Sequence, residues 1–320
     1  MKLKFDYSHI GKIKPRNLVN PTVRKAKHVV LTLLFYLVLF DLAFVFLYPF
    51  IIMIVDSLKT DSDLINITVK WIPSKLEFEN YVIAFKRLNF FRYFKNSAVV
   101  CILATIGHMF SCACAGYAFA RYQFKGKGAL FGLVVFAMIV PIQVIIFPLY
   151  IQFSNWGWLN TYLPLIIPTF FGFGLSGGFF IFLFRQFFVS LPYEMEEAAR
   201  IDGCGAIRTF FRIMMPMARS SMLVCLVLSM VWHWNDYFEP SVYITDHEKF
   251  MLPSRLPVLY NLLNSEKFDV IMGSEMDNII FNEAMLMAAT FLVIVCIMII
   301  YAFLQRKFME GVERSGLTGM

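Results

Sequence analysis

The sequence lacks several patterns that chemistry or nucleotide binding would require. No G-x-x-x-x-G-K-[S/T] loop occurs in its 320 residues, so the chain does not hold ATP on such a loop. Its five histidines are scattered along the chain without a close pair, which argues against a metal centre. We therefore predict that this chain has no catalytic residues, no metal ligands and no cofactor of its own.

Charge is also scarce. Charged residues make up 16% of the chain, against 59% hydrophobic and 17% aromatic residues, and the mean hydropathy is +0.65. This composition is more apolar than that of soluble domains. Six windows are long enough, at about 1.5 Å per residue, to cross a hydrocarbon core about 30 Å thick. The sequence thus predicts an all-α integral membrane protein with six transmembrane helices, at residues 29–55, 97–120, 129–153, 163–184, 220–244 and 284–304.

Lys and Arg are distributed unequally between the segments that join these spans. Of the 29, 19 fall in the arm (1–28), in the loops after the second and fourth spans, and in the tail (305–320). Because basic segments are hard to translocate, these parts and both termini are predicted to be cytoplasmic. The net charge of +7 then comes mostly from basic residues at the membrane surface, where they face lipid, and no nucleic-acid partner is expected.

A G-x-G-x-x-G pattern at Gly172, Gly174 and Gly177 does not predict a dinucleotide site. No strand precedes it, and apolar residues enclose it on both sides. We expect instead a face of small residues, extended by Gly178, on which another helix packs closely.

The most charge-rich part of the long apolar tract predicts two short amphipathic helices. Gly203 and Gly205 allow the chain to reverse between them, and Pro216 ends or kinks the second. Such short helices need a surface to pack on. Periodicity alone does not decide whether that surface belongs to the chain's own spans or to a partner protein. The apolar positions at helical spacing are Leu191, Met195, Ala198 and Ala199 in the first helix, and Ile207, Phe210, Phe211 and Met214 in the second.

A resemblance to a known family bears on that choice. Glu197-Ala198-Ala199, Gly203, Ile213 and Pro216 match the EAA loop (EAA-x3-G-x9-I-x-L-P) of permease subunits in binding-protein-dependent ABC importers. Met215 replaces the usual leucine. The chain also resembles the sugar permease branch, in particular the maltose-type second permease. Segments that carry this resemblance include Ser57-Leu58-Lys59-Thr60, Trp71-Ile72-Pro73, Tyr117-Ala118-Phe119-Ala120-Arg121, Ile201-Asp202-Gly203 and Trp234-Asn235.

The resemblance implies an ABC importer type I permease fold in a bacterial cell membrane. It implies a homologous second permease, two ABC ATPase subunits that bind the ATP, an extracytoplasmic sugar-binding protein and a carbohydrate substrate. The EAA loop (residues 187–216) would dock on an ATPase. Glu197 would make a charged contact, Gly203 the turn, and Ala198 and Ala199 a close-packed face. The implied ATPase-coupling residues are Glu197, Ala198, Ala199, Asp202, Gly203, Ile213 and Pro216.

Polar residues near the outer end of the fifth predicted span suggest a substrate path. Trp234, Asn235 and Asp236 combine an aromatic surface with hydrogen-bonding groups, as a sugar requires, although an interfacial belt explains them equally well. Gln143, between Pro141 and Pro148 where the third span is expected to bend and form a cavity, is a weaker path candidate. The tail (305–320) either inserts between the ATPases or is a frayed end.

Two rival classes fit the sequence less well. A secondary transporter would need paired charges at mid-membrane and an internal repeat, whereas Asp41 and His108 are isolated and no repeat is found. A membrane enzyme would need a metal cluster or a nucleophile with its base, and neither pattern is present.

Overall fold

We describe the protein from a computed structural model that covers residues 21–174, 176–263 and 281–317. Most of those residues lie in helices and none lies in a β-strand, which confirms the predicted class for this part of the chain. The chain divides into two units, the first ending at Ile52 and the second starting at Met53. The α-helices are α1 (Pro21–Ser57), α2 (Asp61–Ile65), α3 (Glu79–Arg87), α4 (Phe90–Arg121), α5 (Lys127–Ile139), α6 (Ile142–Asn155), α7 (Leu163–Ile166), α8 (Gly177–Ser190), α9 (Glu194–Ile201), α10 (Ala206–Thr209), α11 (Met215–Met217), α12 (Arg219–Asn235), α13 (Phe238–Tyr243), α14 (Arg255–Leu263) and α15 (Glu283–Leu317).

Residues 21–52 of helix α1 make up the described part of the first unit, and α1 as a whole contains the first predicted span. Its apolar side chains are exposed on every side of the helix, Phe40 and Phe46 among them. An all-round apolar surface is typical of a helix surrounded by lipid or by other helices rather than by water.

Helix α4 is the centre of the second unit. It packs against α8 and α12, and α12 packs in turn against α15. The approach of α4 to α8 is close at Gly116, where an added Cβ atom would lie 2.6 Å from the Cβ atom of Phe184. Glycine therefore lets the two backbones come together, as is common between membrane helices.

Three helical segments are each long and apolar enough to cross a membrane: Lys27–Ser57, Phe90–Arg121 and Glu283–Arg306. They contain the first, second and sixth predicted spans. Two bent helix pairs raise the number of candidate spans in the described chain to five at most. The other three predicted spans are not continuous helices, and each break has a local cause.

The third predicted span (129–153) divides into α5 and α6, which meet at an angle of 103°. Pro141 has no amide hydrogen, and it disfavours helical backbone at the residue before it. Val140 accordingly has an extended conformation, with ψ at 118°. A bend in this span was expected between Pro141 and Pro148, and the structure has it at Pro141, where it divides the span into two helices.

The fourth predicted span (163–184) is interrupted at the glycine pattern. A short 3-10 helix (Ile167–Phe171) follows α7 and ends at Gly172 (φ +70°), and Gly174 also has positive φ (+100°). These two glycines make turns instead of the predicted helix face. Gly178 does allow the predicted close approach, since an added Cβ would lie 3.0 Å from the Val134 carbonyl oxygen of α5.

The fifth predicted span (220–244) stops at Asn235, and a separate helix, α13, follows. Asp236 Oδ1 accepts hydrogen bonds from the Phe238 amide at 3.0 Å and the Glu239 amide at 3.3 Å. A carboxylate that binds free amides in this way starts a new helix. The prediction of a helix that continues to residue 244 was therefore wrong.

The loop at 56–96 is held in place by side-chain hydrogen bonds. Asn80 Nδ2 donates to the carbonyl oxygens of Ser57 at 3.0 Å and Lys59 at 2.9 Å. Asp63 accepts from the Ser74 hydroxyl at 2.6 Å and the Ser74 amide at 3.0 Å. The hydrogen bonds from Ser74 hold the pKa of Asp63 below its usual value.

Candidate functional site

Helix α9 forms the first half of the EAA loop. Three glutamates lie in its first turn and Arg200 in its last, an arrangement that suits the helix dipole. The helix ends in a turn where the Gly203 amide donates to the Arg200 carbonyl at 3.0 Å and the Cys204 amide to the Ala199 carbonyl at 2.9 Å. Gly203 has φ +76°, and an added Cβ would meet no atom within 4 Å. The backbone conformation, not crowding, therefore calls for glycine here.

The two faces of α9 differ sharply. Ala199 and Glu196 are buried, at 2% and 6% exposed, and they are its only buried residues. Of the two alanines predicted to form a close-packed face, only Ala199 packs within this chain. The residues of the opposite face are Glu194, Glu197, Ala198 and Ile201, and Asp202 follows at the end of the helix.

The second half of the EAA loop is less regular than the sequence predicted. After α10, residues Phe210–Met214 form a π-helical turn. Phe210 and Met214 are buried, whereas Ile207 and Phe211 are 76% and 47% exposed. A π turn advances fewer degrees per residue than an α-helix, so it turns Ile207 and Phe211 away from the face that Phe210 and Met214 share. The predicted single apolar stripe was therefore wrong.

The remaining predicted coupling residues lie at the end of the loop. Ile213 is half-buried against the core, and Pro216 is exposed in the first turn of α11. The chain then bends by 75° between Met217 and Arg219, so the break falls two residues after the proline that was predicted to cause it.

An exposed apolar surface extends across both halves of the loop. Ile201 is 86% exposed on α9, and Ile207 and Phe211 are exposed on the second half. Arg208 and Arg212 border a shallow groove beside Ile207 and Phe211. We call Glu197, Ala198, Ile201, Ile207 and Phe211 the outer face of the EAA loop.

Sequence reasoning missed a buried ion pair behind this loop. Arg121 Nε, at the end of α4, lies 3.0 Å from Glu196 Oε1, and the two side chains are 1% and 8% exposed. Arg121 Nη2 donates to the Leu191 carbonyl at 2.7 Å, and the guanidinium carbon lies 4.2 Å from the centre of the Tyr193 ring. Only the fold brings these residues together, because they are distant in sequence.

The structure does not gather the predicted path residues into one site. Trp234 is 2% exposed, and its Nε1 donates to the Val293 carbonyl of α15 at 3.2 Å. Asp236 caps α13, while Asn235 and Gln143 are exposed on different helices. Their part in a substrate path stays a prediction.

Two histidines that are distant in sequence meet inside the molecule. His233 Nε2 lies 3.4 Å from His108 Nδ1, which also lies 3.4 Å from the Ser229 hydroxyl. The sequence had indicated no close pair of histidines, so this contact corrects that reading. No group of three metal-ligating side chains occurs within the described ranges, so the pair alone does not define a metal centre.

Comparisons with known proteins agree with this architecture. Residues 107–310 match the family described as "Binding-protein-dependent transport system inner membrane component". The arabinooligosaccharides transport system permease protein AraQ of Halalkalibacterium halodurans is 28% identical over 87% of this chain and 93% of its own length. The diacetylchitobiose uptake system permease protein NgcG of Streptomyces coelicolor is 30% identical over 83% of this chain and 82% of its own.

A solved structure shows the same fold. The crystal structure of a bacterial ABC transporter involved in the import of the acidic polysaccharide alginate contains a similar chain, with a TM-score of 0.71 and 21% identity. The match covers 88% of this chain and 98% of that one.

Fold and loop together define a multi-pass membrane permease, a component of transport rather than an enzyme. The chain belongs to the family of inner-membrane components of binding-protein-dependent transport systems.

Proposed function

We propose that this protein is a transmembrane permease subunit of an ATP-driven carbohydrate importer, with an oligosaccharide as its substrate class. The transport systems of two relatives, AraQ and NgcG, are named for arabinooligosaccharides and diacetylchitobiose. The chain forms half of the translocation pathway, and a homologous second permease forms the other half. Both termini lie in the cytoplasm of a bacterial cell.

The outer face of the EAA loop carries this proposal. Ile201 and Ile207 are large apolar side chains that remain more than three-quarters exposed beside a charged residue, Glu197. The inner side of the loop is packed, so the outer face is free to enter a partner. An apolar patch rimmed by charge is typical of a protein interaction site. The partner that fits is an ATPase subunit, whose closure moves the loop and the helices beside it.

The other components follow from this assignment. Two ATPase subunits bind the ATP, so this chain itself needs no cofactor or metal. An extracytoplasmic sugar-binding protein delivers the substrate. Asn235 and Gln143, whose side chains are exposed, are the path candidates best placed to meet a sugar, while Trp234 and Asp236 support the backbone around them.

Purification of a tagged chain from its host tests the proposal. We expect it to bring down two ATPases and a second permease. Glu197→Ala should reduce recovery of the ATPases and abolish sugar uptake, while leaving membrane insertion unchanged. Glu79→Ala is the matched control, because Glu79 is an exposed glutamate in the first turn of α3, outside the EAA loop.

Two results would count against the proposal. One is a chain that transports sugar in liposomes without an ATPase. The other is a Glu197→Ala variant that recovers ATPases and takes up sugar as well as the Glu79→Ala control does.

A further inference from the structure

We propose that the ion pair between Arg121 and Glu196 transmits movement of α9 directly to α4, so that Arg121 is a positioning residue for transport. This inference rests on the proposed function and deepens it. Glu197, on the outer face, would meet the ATPase, while Glu196, one residue earlier, would hold the span that must move.

The geometry of Arg121 supports this role. Its guanidinium contacts Glu196, the Leu191 carbonyl and the Tyr193 ring at once, at 3.0, 2.7 and 4.2 Å. A planar guanidinium with several fixed contacts constrains orientation as well as distance. Rotation of α9, together with Leu191 and Tyr193 in the segment that leads into it, against the end of α4 would therefore break at least one of these contacts.

Few other contacts hold α9 to the rest of the chain. Glu196 and Ala199 are its only buried residues, and Ala199 supplies just a methyl group. The Glu196 carboxylate is thus the polar anchor of the helix. Its burial matters because a buried charge that loses its partner is strongly destabilised.

The covalent connections of α9 are less direct. On one side Leu191 is extended (ψ 143°) between α8 and α9, and on the other the chain bends by 75° before α12. Helix α4, in contrast, runs unbroken for 32 residues from Phe90 to Arg121 and packs on α8 and α12. A force applied through Arg121 would reach the centre of the unit along one rigid helix.

Two environment-sensitive fluorophores test separately whether the EAA loop docks on the ATPase and whether movement of α9 reaches α4. One is attached at Ile106→Cys on α4, the other at Arg200→Cys on α9; both positions are exposed. The half-buried thiols Cys114, Cys204 and Cys296 are first replaced by serine. The whole complex, co-purified with its ATPases and binding protein, is measured in lipid nanodiscs before and after trapping with MgATP and vanadate.

In the otherwise unchanged complex the fluorescence of both reporters should change on trapping. In Glu196→Gln, and in Arg121→Lys, which keeps the charge without the planar fork, the α9 reporter should still respond while the α4 reporter loses its response. Glu79→Gln, the same change at an exposed site outside the EAA loop, should leave both responses intact.

An α4 response of normal size in both Glu196→Gln and Arg121→Lys would overturn the inference. If Glu196→Gln does not assemble, the milder Arg121→Lys variant decides by the same criterion. A silent α9 reporter in the unchanged complex would instead refute the proposed docking of the loop, so the two failures are distinguishable.

Discussion

The EAA loop and the segment from Trp234 to Asp236 were both singled out by sequence, but the fold treats them differently. The loop displays Glu197, Ala198 and Ile201 on its surface. In the second segment the most prominent residue, Trp234, is buried against α15, and Asp236 is used to start a helix. Most motif residues on α9 thus face outward, although Ala199 is buried, whereas Trp234 and Asp236 support the chain itself.

Because of this difference, substitutions in the two regions should impair the protein for different reasons, through transport in the first and through stability in the second. Changes on the outer face of the loop remove no internal packing, so they should impair transport without loss of stability. Changes at Trp234 remove a buried aromatic ring and a hydrogen bond, so they should lower stability first. The following predictions test this separation.

The largest effect on transport is expected from Gly203→Leu. A leucine at φ +76° costs roughly 1 to 2 kcal/mol of backbone strain, and the turn must shift to relieve it. We expect sugar uptake by cells to be abolished while membrane insertion stays normal. Gly205→Ala is the control, since Gly205 has φ −70° and open space around it, and it should transport normally. Normal uptake by Gly203→Leu would show that the turn is not required.

Trp234→Ala should destabilise the purified protein by about 4 kcal/mol, the usual scale for loss of a buried aromatic side chain. Trp234→Phe keeps a ring but removes the Nε1–H donor to Val293, and should cost about 1 kcal/mol. Thermal unfolding in detergent measures both changes. If Trp234→Ala is as stable as the unchanged protein but fails to transport, Trp234 is a path residue after all.

Phe210 and Phe211, neighbours in the second half of the EAA loop, allow the same substitution to be compared on the inner and the outer face. Phe210 is buried and contacts Tyr117 and Phe188, so Phe210→Ala should cost about 3 kcal/mol of stability. Its neighbour Phe211 is half-exposed, so Phe211→Ala should leave stability almost unchanged and weaken recovery of the ATPases. Equal losses of stability in both variants would contradict the assignment of inner and outer faces.

The smallest effect is expected from Asp63→Asn, which weakens the hydrogen bonds from Ser74. Because the folded state lowers the pKa of Asp63, its contribution is present above the ordinary pKa and is lost as pH falls through the lowered value. Proteolysis of the 56–96 loop should therefore become faster in acid, and Asp63→Asn should show less of this pH dependence. Equal pH dependence in both proteins would exclude Asp63 as its source.

Local features of the fold could be predicted from the sequence. The glycine turn at Gly203 and the short helix before it depend on neighbouring residues, and they appear as expected. The long apolar helices follow from composition alone. The family could be inferred because the EAA pattern is a local match.

The remaining features of the fold depend on tertiary structure, or on a local signal that the apolar composition outweighed. Pro141 and Pro148 indicated a bend in the third predicted span, but not that the span divides into two helices at an angle of 103°. The amides that Asp236 binds are only two and three residues away, but within the apolar window its capping role was not predicted. The contacts of Arg121 with Glu196 and of His108 with His233 join residues from different helices, so no local pattern could indicate them.

The central claim, that the outer face of the EAA loop enters an ATPase, is tested most directly by photo-cross-linking in cells. A benzophenone amino acid is placed at Ala198, with Ile72, an exposed residue in the 56–96 loop, as the control position. We predict that Ala198 cross-links to an ATPase subunit and that Ile72 does not. A cross-link from Ala198 to an extracytoplasmic protein, or none to an ATPase, would contradict the account.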